Sequence, residues 1–596
     1  MPVPLDRADA VTAAMPIVAV DRYRLSGPAC IIPVRRPCSS LTRSSVRAHP
    51  GLLPGLSDGG FDHGGYPRGR VWRVDGTAGL PDVEGMDPRR VHAALSLLAD
   101  GRWWSMAALI RASAAPRRSV EALLAGLAVE REGDRFRLDA EQAREIGELL
   151  KTGHRPFVPA DPVGHLLPDY RGVVERLADF IARAPRGRHV LDHVAATPET
   201  VVRRALLLGA RFWLGDARLL CVGDHDLTSL AVGMIHPQVE TVVVDIDERI
   251  LAYIDERAAE LGLSVRTRWA DLRLGLPGSA VEFADLVITD PPYTADGVGL
   301  FVARGVQGLR DQGSGRVLLA YGASDRTPML ALKVQNALRD LNLVSEAIYP
   351  DFNRYYGAEA IGSAADLYVL RPTSKSLPAA VARADRFSAA IYTQGPQAVE
   401  AREQVKVSAE DLGDVRPDVL VGAWPKEVLP GVPRVRLSTW LAKPYAAKVR
   451  QVGAALPSGM EATLARLLLA TRAERIRVVP AEVVDLDELA AILGPVYELG
   501  EHGRGIEAVR RDEPRDDPAL RVLRAVMDRA HGKVANTWRD ALIDVRGDLT
   551  KRQARALVAE VAPWAADVTL LELPMHRLRE LPEAIRESLG GAGAPG

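Results

Sequence analysis

The 596-residue chain has few cysteines, almost no net charge and no long apolar run. Its three cysteines, Cys30, Cys38 and Cys221, lack the paired spacing of a zinc site and the density of a disulfide framework. They suit a reducing compartment, so a cytoplasmic location is expected. No stretch approaches the roughly 20 residues that span a bilayer. Residues 11–20 are mildly apolar, but acidic residues precede them, which argues against a signal peptide. The 76 basic and 77 acidic side chains leave a formal charge of −1. That balance gives no overall field toward nucleic acid or membrane. Lysine is scarce beside arginine, as in GC-rich coding, so isolated arginine clusters point only weakly to a polyanion. There is no internal repeat, and the turn at Gly223 has one glycine where a nucleotide-binding fold has G-x-G-x-x-G.

What the chain does have is length for several cores, about three or four domains. Residues 1–85 are rich in Pro, Gly, Ser and Arg without a period and are expected to be disordered. Met86 reads as the better initiator, which would put them upstream of the true start. From Asp87-Pro88 three helical stretches are followed by Ala128–Leu138, which reads as a hairpin with a Gly133-Asp134 turn. Three helices and a β-wing over residues 86–152 make a winged helix. Arg117 and Arg118 on its third helix would face DNA in one reading. Interleaved acidic residues favour a packing or dimerisation module instead. A proline-bearing linker follows, then helices near 170–184 and 198–212, the second opened by the capping pattern Thr197-Pro198-Glu199-Thr200.

Residues 170–373 carry the main domain, with strands expected near 218–222, 241–245, 284–289, 315–321, 343–349 and 366–371. From residue 216 strands and helices alternate, which argues an α/β fold with a doubly wound parallel sheet. The last two strands are separated only by the loop 350–365, too short for a crossover helix, so that pair should be antiparallel. A parallel sheet ending in an antiparallel strand resembles the Rossmann-like methyltransferase fold. Residues 374–505 suggest a smaller α/β lobe, and 515–590 a helical region beginning at Asp517-Pro518.

Two acidic turns carry the chemistry. Gly223-Asp224-His225-Asp226 follows the apolar run 218–222, and Asp290-Pro291-Pro292-Tyr293-Thr294 follows 284–289. In an open α/β sheet, ligands sit at the carboxyl ends of such strands. Two aspartates in the first turn would repel a pyrophosphate, so a nucleoside with a sulfonium centre fits better than a dinucleotide. A simple helix cap at Asp226 would need one carboxylate, not two. Asp245 and Asp247 end the next strand, about 20 residues on, where an acid holds ribose hydroxyls; Asp245 is the better candidate, the alternative being a capping pair for the helix from Glu248. Asp271, at the following turn, is placed to take an adenine amino group. Pro291 and Pro292 fix the backbone and leave Asp290 and the carbonyls free to accept an amine N–H. The face of Tyr293 can stabilise a cation. The loop with Asp351, Tyr355 and Glu359 reads equally as the lining of a polyamine groove and as an ordinary hairpin packed on its aromatics, and His225 reads as a substrate contact ahead of a solvated turn residue. Cys221 lies inside a strand as a small apolar residue.

These turns together resemble the branched-chain polyamine synthase family, also called N(4)-bis(aminopropyl)spermidine synthase. Its pattern is Gly-Asp-Asp-Asp, an acidic second strand end, then Asp-Pro-Pro-Tyr or Phe; the stretch 357–363 is similar too. The resemblance covers about residues 88–373. It implies aminopropyl transfer from decarboxylated S-adenosylmethionine to the N4 amine of spermidine, without a metal. It implies Asp226 as the base, Asp224 and Asp290 orienting the amine, and Gly223, Asp245, Asp247, Asp271 and Pro291 on the nucleoside side. It also implies a homodimer, with nucleic acid not expected as a partner. His225 stands where the family has Asp, which allows a shorter, less charged or differently branched acceptor. Two other readings remain: an adenine-N6-type methyltransferase, and a non-enzymatic sensor of polyamine or nucleoside.

Overall fold

A computed structural model describes residues 89–153, 161–324, 327–384, 390–394, 398 and 407–590. The disorder and the initiator expected over residues 1–86 lie outside the described residues.

Helix α1 (Arg89–Leu98), strand β1 (Trp104–Ser105), helices α2 (Met106–Ser113) and α3 (Arg117–Ala125), strands β2 (Val129–Glu132) and β3 (Arg135–Leu138) and helix α4 (Ala140–Gly153) form the first group. Ser105 caps α2 by accepting from the Ala108 amide. The three strands make an antiparallel sheet in the order β1-β3-β2. Leu98, Leu109, Ile110, Leu123 and Phe136 close one small core beneath it.

Helices α5 (Arg171–Arg183) and α6 (Pro198–Arg211) lead into the main sheet. Its elements are β4 (Arg218–Val222), α7 (Thr228–Ile235), β5 (Glu240–Asp245), α8 (Glu248–Leu261), β6 (Val265–Trp269), β7 (Leu286–Thr289), α9 (Ala295–Gly308), β8 (Arg316–Tyr321), α10 (Pro328–Asp340), β9 (Val344–Arg354), β10 (Ala364–Arg371) and α11 (Ser376–Ala384). The order is β6-β5-β4-β7-β8-β10-β9. Strands β4 to β8 run parallel, and β10 pairs antiparallel with both β8 and β9. The continuous apolar strands follow from burial on both faces. Leu219 and Cys221 of β4 enter one core with α5 to α8, while Leu220 and Val222 enter another with α9 to α11. Leu220→Ala at this fully buried position should cost about 2–5 kcal/mol.

Two departures from the expected strands have plain causes. β6 was not anticipated because Arg266 and Arg268 interrupt its apolar run; it is an edge strand, where such residues are tolerated. β9 runs on through Pro350 to Arg354, so Asp351 to Arg354 belong to a strand, not a loop. Pro350 is accommodated because β9 is the opposite edge, and Asp351 sits at positive φ (52°).

The C-terminal lobe contains β11 (Val419–Gly422), β12 (Arg434–Val435), α12 (Leu437–Ala442), β13 (Gln451–Ala455), α13 (Leu464–Ala470), β14 (Arg475–Val479), α14 (Leu486–Leu493), β15 (Tyr497–His502) and β16 (Gly505–Arg510). Helices α15 (Pro518–Met527), α16 (Val534–Arg546), α17 (Lys551–Val561) and α18 (Met575–Ser588) follow. Its sheet, β12-β11-β13-β14-β16-β15, is parallel as far as β14. Val421, Ile476 and Val478 share one core with Trp538, Leu542 and Leu581 of the helices. Sheet and helices therefore fold as one body. The lobe covers the β6 edge of the main sheet, with Leu570–Glu572 beside that strand. No helix among the described residues is long and apolar enough to cross a membrane.

Candidate functional site

A cavity of about 750 Å³ opens at the carboxyl ends of β4, β5, β6 and β7. The first turn supplies Gly223, Asp224, His225 and Asp226 to its wall, and the next two strand ends supply Asp245 and Asp271. Asp290, Pro291 and Tyr293 enter from the second acidic turn, and Tyr355 from the end of β9. Asp247, Asp351 and Glu359 are not on the wall.

Each acid has a specific set of partners. Gly223 takes φ +74°, the left-handed region where a side chain is strained. That turn sends the Asp224 carboxylate back onto α7, accepting from the amides of Thr228 (2.8 Å) and Ser229 (3.0 Å). Asp224, not Asp226, is thus the helix cap. Burial lifts its pKa to about 7, against its hydrogen bonds to Ser229. Asp245 accepts from the amides of Asp224 (3.0 Å) and Asp247 (2.8 Å), which ties the β4 and β5 turns together. Burial raises it as well.

At the centre is Arg204 of α6, which the sequence reading missed. Its fully buried guanidinium donates to Asn353 Oδ1 (2.8 Å), Asp226 Oδ2 (2.8 Å) and Asp290 Oδ2 (2.6 Å). Asp226 Oδ1 accepts from the Ala196 amide at 2.8 Å. Burial pushes Asp226 upward, but Arg204 and that amide outweigh it and hold the carboxylate below its ordinary range. Both Asp226 oxygens are engaged, and Arg204 lowers the basicity of the residue that the family resemblance implied as the proton acceptor.

Asp290 differs. Tyr293 donates to its Oδ1 (3.0 Å) and Tyr355 to its Oδ2 (2.7 Å). Burial raises it, Arg204 opposes, Asp226 adds to the rise, and the result is about 6. Burial and the Asp290 charge lift both tyrosines far above the usual phenol range, so they stay donors. The two aspartates share one guanidinium, yet Asp226 is held low while burial carries Asp290 upward.

His225 is not solvated. Its ring stacks on His193, with centroids 4.5 Å apart and planes 14° apart. Burial lowers His193 to about 4, against the pull of Asp247, and burial followed by His193 lowers His225. Both rings are neutral at physiological pH, and neither buried Nδ1 has a hydrogen-bond partner. Both residues line the cavity among the acidic side chains. His193 lies in the loop after α5, which crosses over the cavity. Thr393 fastens that loop by donating from its amide and hydroxyl to Asp192, at 2.7 and 2.5 Å.

Three expected site residues are placed elsewhere. Asp247, expected on the nucleoside, caps α8 and pairs with Arg249 (2.6 Å). Asp351, expected in the amine groove, pairs with Arg90 of α1 at 2.7 Å. Glu359, expected beside it, pairs with Arg117 of α3 at 2.5 Å. Asp351 and Glu359 were read as substrate acids because the arginines of the first 65 described residues were not assigned partners; they dock that group instead. Arg111 completes the docking. It donates to the Tyr355 carbonyl (3.2 Å) and lies over the Tyr356 ring.

Residues 172–384 match the family described as Branched-chain polyamine synthase A C-terminal domain. An uncharacterised protein of Methanocaldococcus jannaschii is 35% identical over 209 residues, covering 35% of this chain and 52% of that one. The N(4)-bis(aminopropyl)spermidine synthase of the same organism is 33% identical over 196 residues, 32% of this chain and 55% of that one. The enzyme of that name from Thermococcus kodakarensis is 32% identical over 187 residues, 31% and 52% of the two chains. The chain thus spans about half the length of the curated relatives it matches. The crystal structure of the Thermus thermophilus branched-chain polyamine synthase, bound to N4-aminopropylspermidine and 5′-methylthioadenosine, is 23% identical with a TM-score of 0.36. That likeness covers 48% of this chain and 88% of that one.

Proposed function

We propose that this chain is an aminopropyltransferase that uses decarboxylated S-adenosylmethionine to alkylate the inner amine of spermidine or a related polyamine. The observation that carries the reading is Asp290, on the cavity wall, hydrogen-bonded by two tyrosines and raised toward neutrality. In the reaction an amine lone pair attacks the propyl carbon bonded to sulfonium. The C–N bond forms, the C–S bond breaks, and the electron pair leaves on sulfur as neutral 5′-methylthioadenosine. A protonated amine cannot attack, so a carboxylate must take its proton. Asp290 is better poised for this than Asp226, and Asp226 with Arg204 sets its orientation and pKa. Tyr293 offers a ring face to the cation, and Tyr355 fixes the carboxylate. The sulfonium is already an activated leaving group, so no metal is needed.

The nucleoside is assigned to Asp245 and Asp271, at the ends of β5 and β6, with Gly223 and Pro291 from the turns after β4 and β7. The neutral His193–His225 stack faces the amine, where it accepts N–H bonds without adding negative charge. That favours an acceptor with few ammonium groups. The three helices and hairpin over 89–153 are read as a winged-helix module used for packing and homodimerisation rather than for nucleic acid. The family match over residues 172–384 supports the aminopropyl-transfer reading of the main domain.

Mass spectrometry of purified protein with spermidine and decarboxylated S-adenosylmethionine should show gains of one or two aminopropyl units with 5′-methylthioadenosine. Methyl transfer from intact S-adenosylmethionine, with no aminopropyl product, would replace this reading with a methyltransferase.

A further inference from the structure

The turns that close the nucleoside side of the cavity are tied to the C-terminal lobe through two buried arginines, one on each side of the contact. Arg273 follows the β6 turn. It grips the cavity-wall residue Asp271 from two sides, Nε to Oδ1 at 2.7 Å and Nη2 to Oδ2 at 2.5 Å. The same Nη2 donates to the carbonyl of Gly459 in the lobe, at 3.0 Å. Its guanidinium lies 5.9 Å from the ring of Tyr392, another wall residue.

Arg466 reaches in from the lobe helix α13, where only 1% of its side chain is exposed. Its guanidinium lies 4.0 Å over the ring of Trp269, the last residue of β6. Trp269 in turn donates to the carbonyl of Ile246 (3.1 Å), in the β5 turn on the cavity wall. Arg466 also pairs with Glu248 (2.7 Å), the first residue of α8, and donates to the Leu573 carbonyl (2.6 Å). Glu248 accepts from the Met575 amide at 2.8 Å. A buried guanidinium that stacks on an aromatic ring while pairing with a carboxylate has few alternative positions. The lobe therefore restrains both the β5 and the β6 turn.

We infer that the C-terminal lobe is a working part of the nucleoside site, with Arg273 and Arg466 as positioning residues that hold Asp271 and Ile246 in place. The identity of the nucleoside rests on the aminopropyltransferase reading; the coupling does not. Coupling is reciprocal, so a nucleoside that orders these turns must also steady the lobe segments that hold them.

Hydrogen exchange on the full-length protein, with and without 5′-methylthioadenosine, tests this. Slowed exchange in residues 456–470 and 570–576 is expected, although neither segment borders the cavity. Bound nucleoside with unchanged exchange there would overturn the inference. As a second arm, Arg273→Lys and Arg466→Met should each weaken 5′-methylthioadenosine binding by about tenfold, within the usual range of coupling between sites. The KM for the amine at saturating donor should stay the same. Unchanged nucleoside affinity in both folded variants also overturns it. Nucleoside binding and lobe protection without aminopropyl product would remove the proposed reaction but leave this inference standing. A wild-type protein that binds neither 5′-methylthioadenosine nor adenosine would remove both.

Discussion

Arg204 decides the character of the site. A sequence scan finds many aspartates and infers an open acidic well, but one guanidinium occupies two of them and leaves each with a different proton affinity. Removing one partner of a buried ion network strands the rest, at a cost of about 3–5 kcal/mol. Arg204→Met should therefore lower the melting temperature sharply and stop turnover. Arg204→Lys should recover part of the stability but little activity, because an ammonium cannot fork between Asp226 and Asp290 while holding Asn353. Calorimetry and single-turnover product formation read the two effects separately. If Asp290 takes the amine proton, it must be ionised, so the rate should fall as pH drops through about 6. Asp290→Asn should cost about 10²–10⁴ in rate. His193 gives a stability signature of its own. Its folded pKa of about 4 lies below the ordinary 6.5. The folded state thus prefers the neutral ring; its contribution is complete above pH 6.5 and is lost as pH falls toward 4. Proton NMR of the imidazole should show it still neutral at pH 5.

Among elements, the segment after β9 depends on the N-terminal helices. Gly362 sits at φ +82°, and a Cβ there would lie 2.0 Å from the Ala114 carbonyl oxygen. Gly362→Ala should push that contact apart and loosen Tyr355. The expected outcome is a several-fold rise in the KM for the amine with little change in nucleoside affinity, measured by steady-state kinetics and calorimetry. This contact also marks the limit of sequence reading. The acidic turns were legible because each follows an unbroken apolar strand, and that placement alone brought Asp224, Asp226, Asp245 and Asp290 to one crevice. Arg204 was not legible, because Arg203-Arg204 looks like solvated surface; the clue was its place between Val201 and Leu208, on the buried face of α6. His193 was hidden in an irregular loop with no periodicity. Asp351 and Glu359 were misjudged because an acid near a site and an acid at a domain junction read alike until the partner arginines are known.

At the scale of the whole molecule, the main sheet and the C-terminal lobe have separate cores, one around Val243 and Leu318, the other around Trp538 and Leu467. Calorimetry should therefore resolve more than one unfolding transition. Added nucleoside should raise the transition of the main sheet, and that of the lobe with it if the two are coupled as inferred. The lobe has one further effect. It packs against β6, so the edge of the seven-stranded sheet that it leaves uncovered is β9, where Val344 and Ile348 are about half exposed. A sheet open at both sides can add copies without end. One sealed on one side has a single valence, so strand-to-strand association through it stops at two molecules.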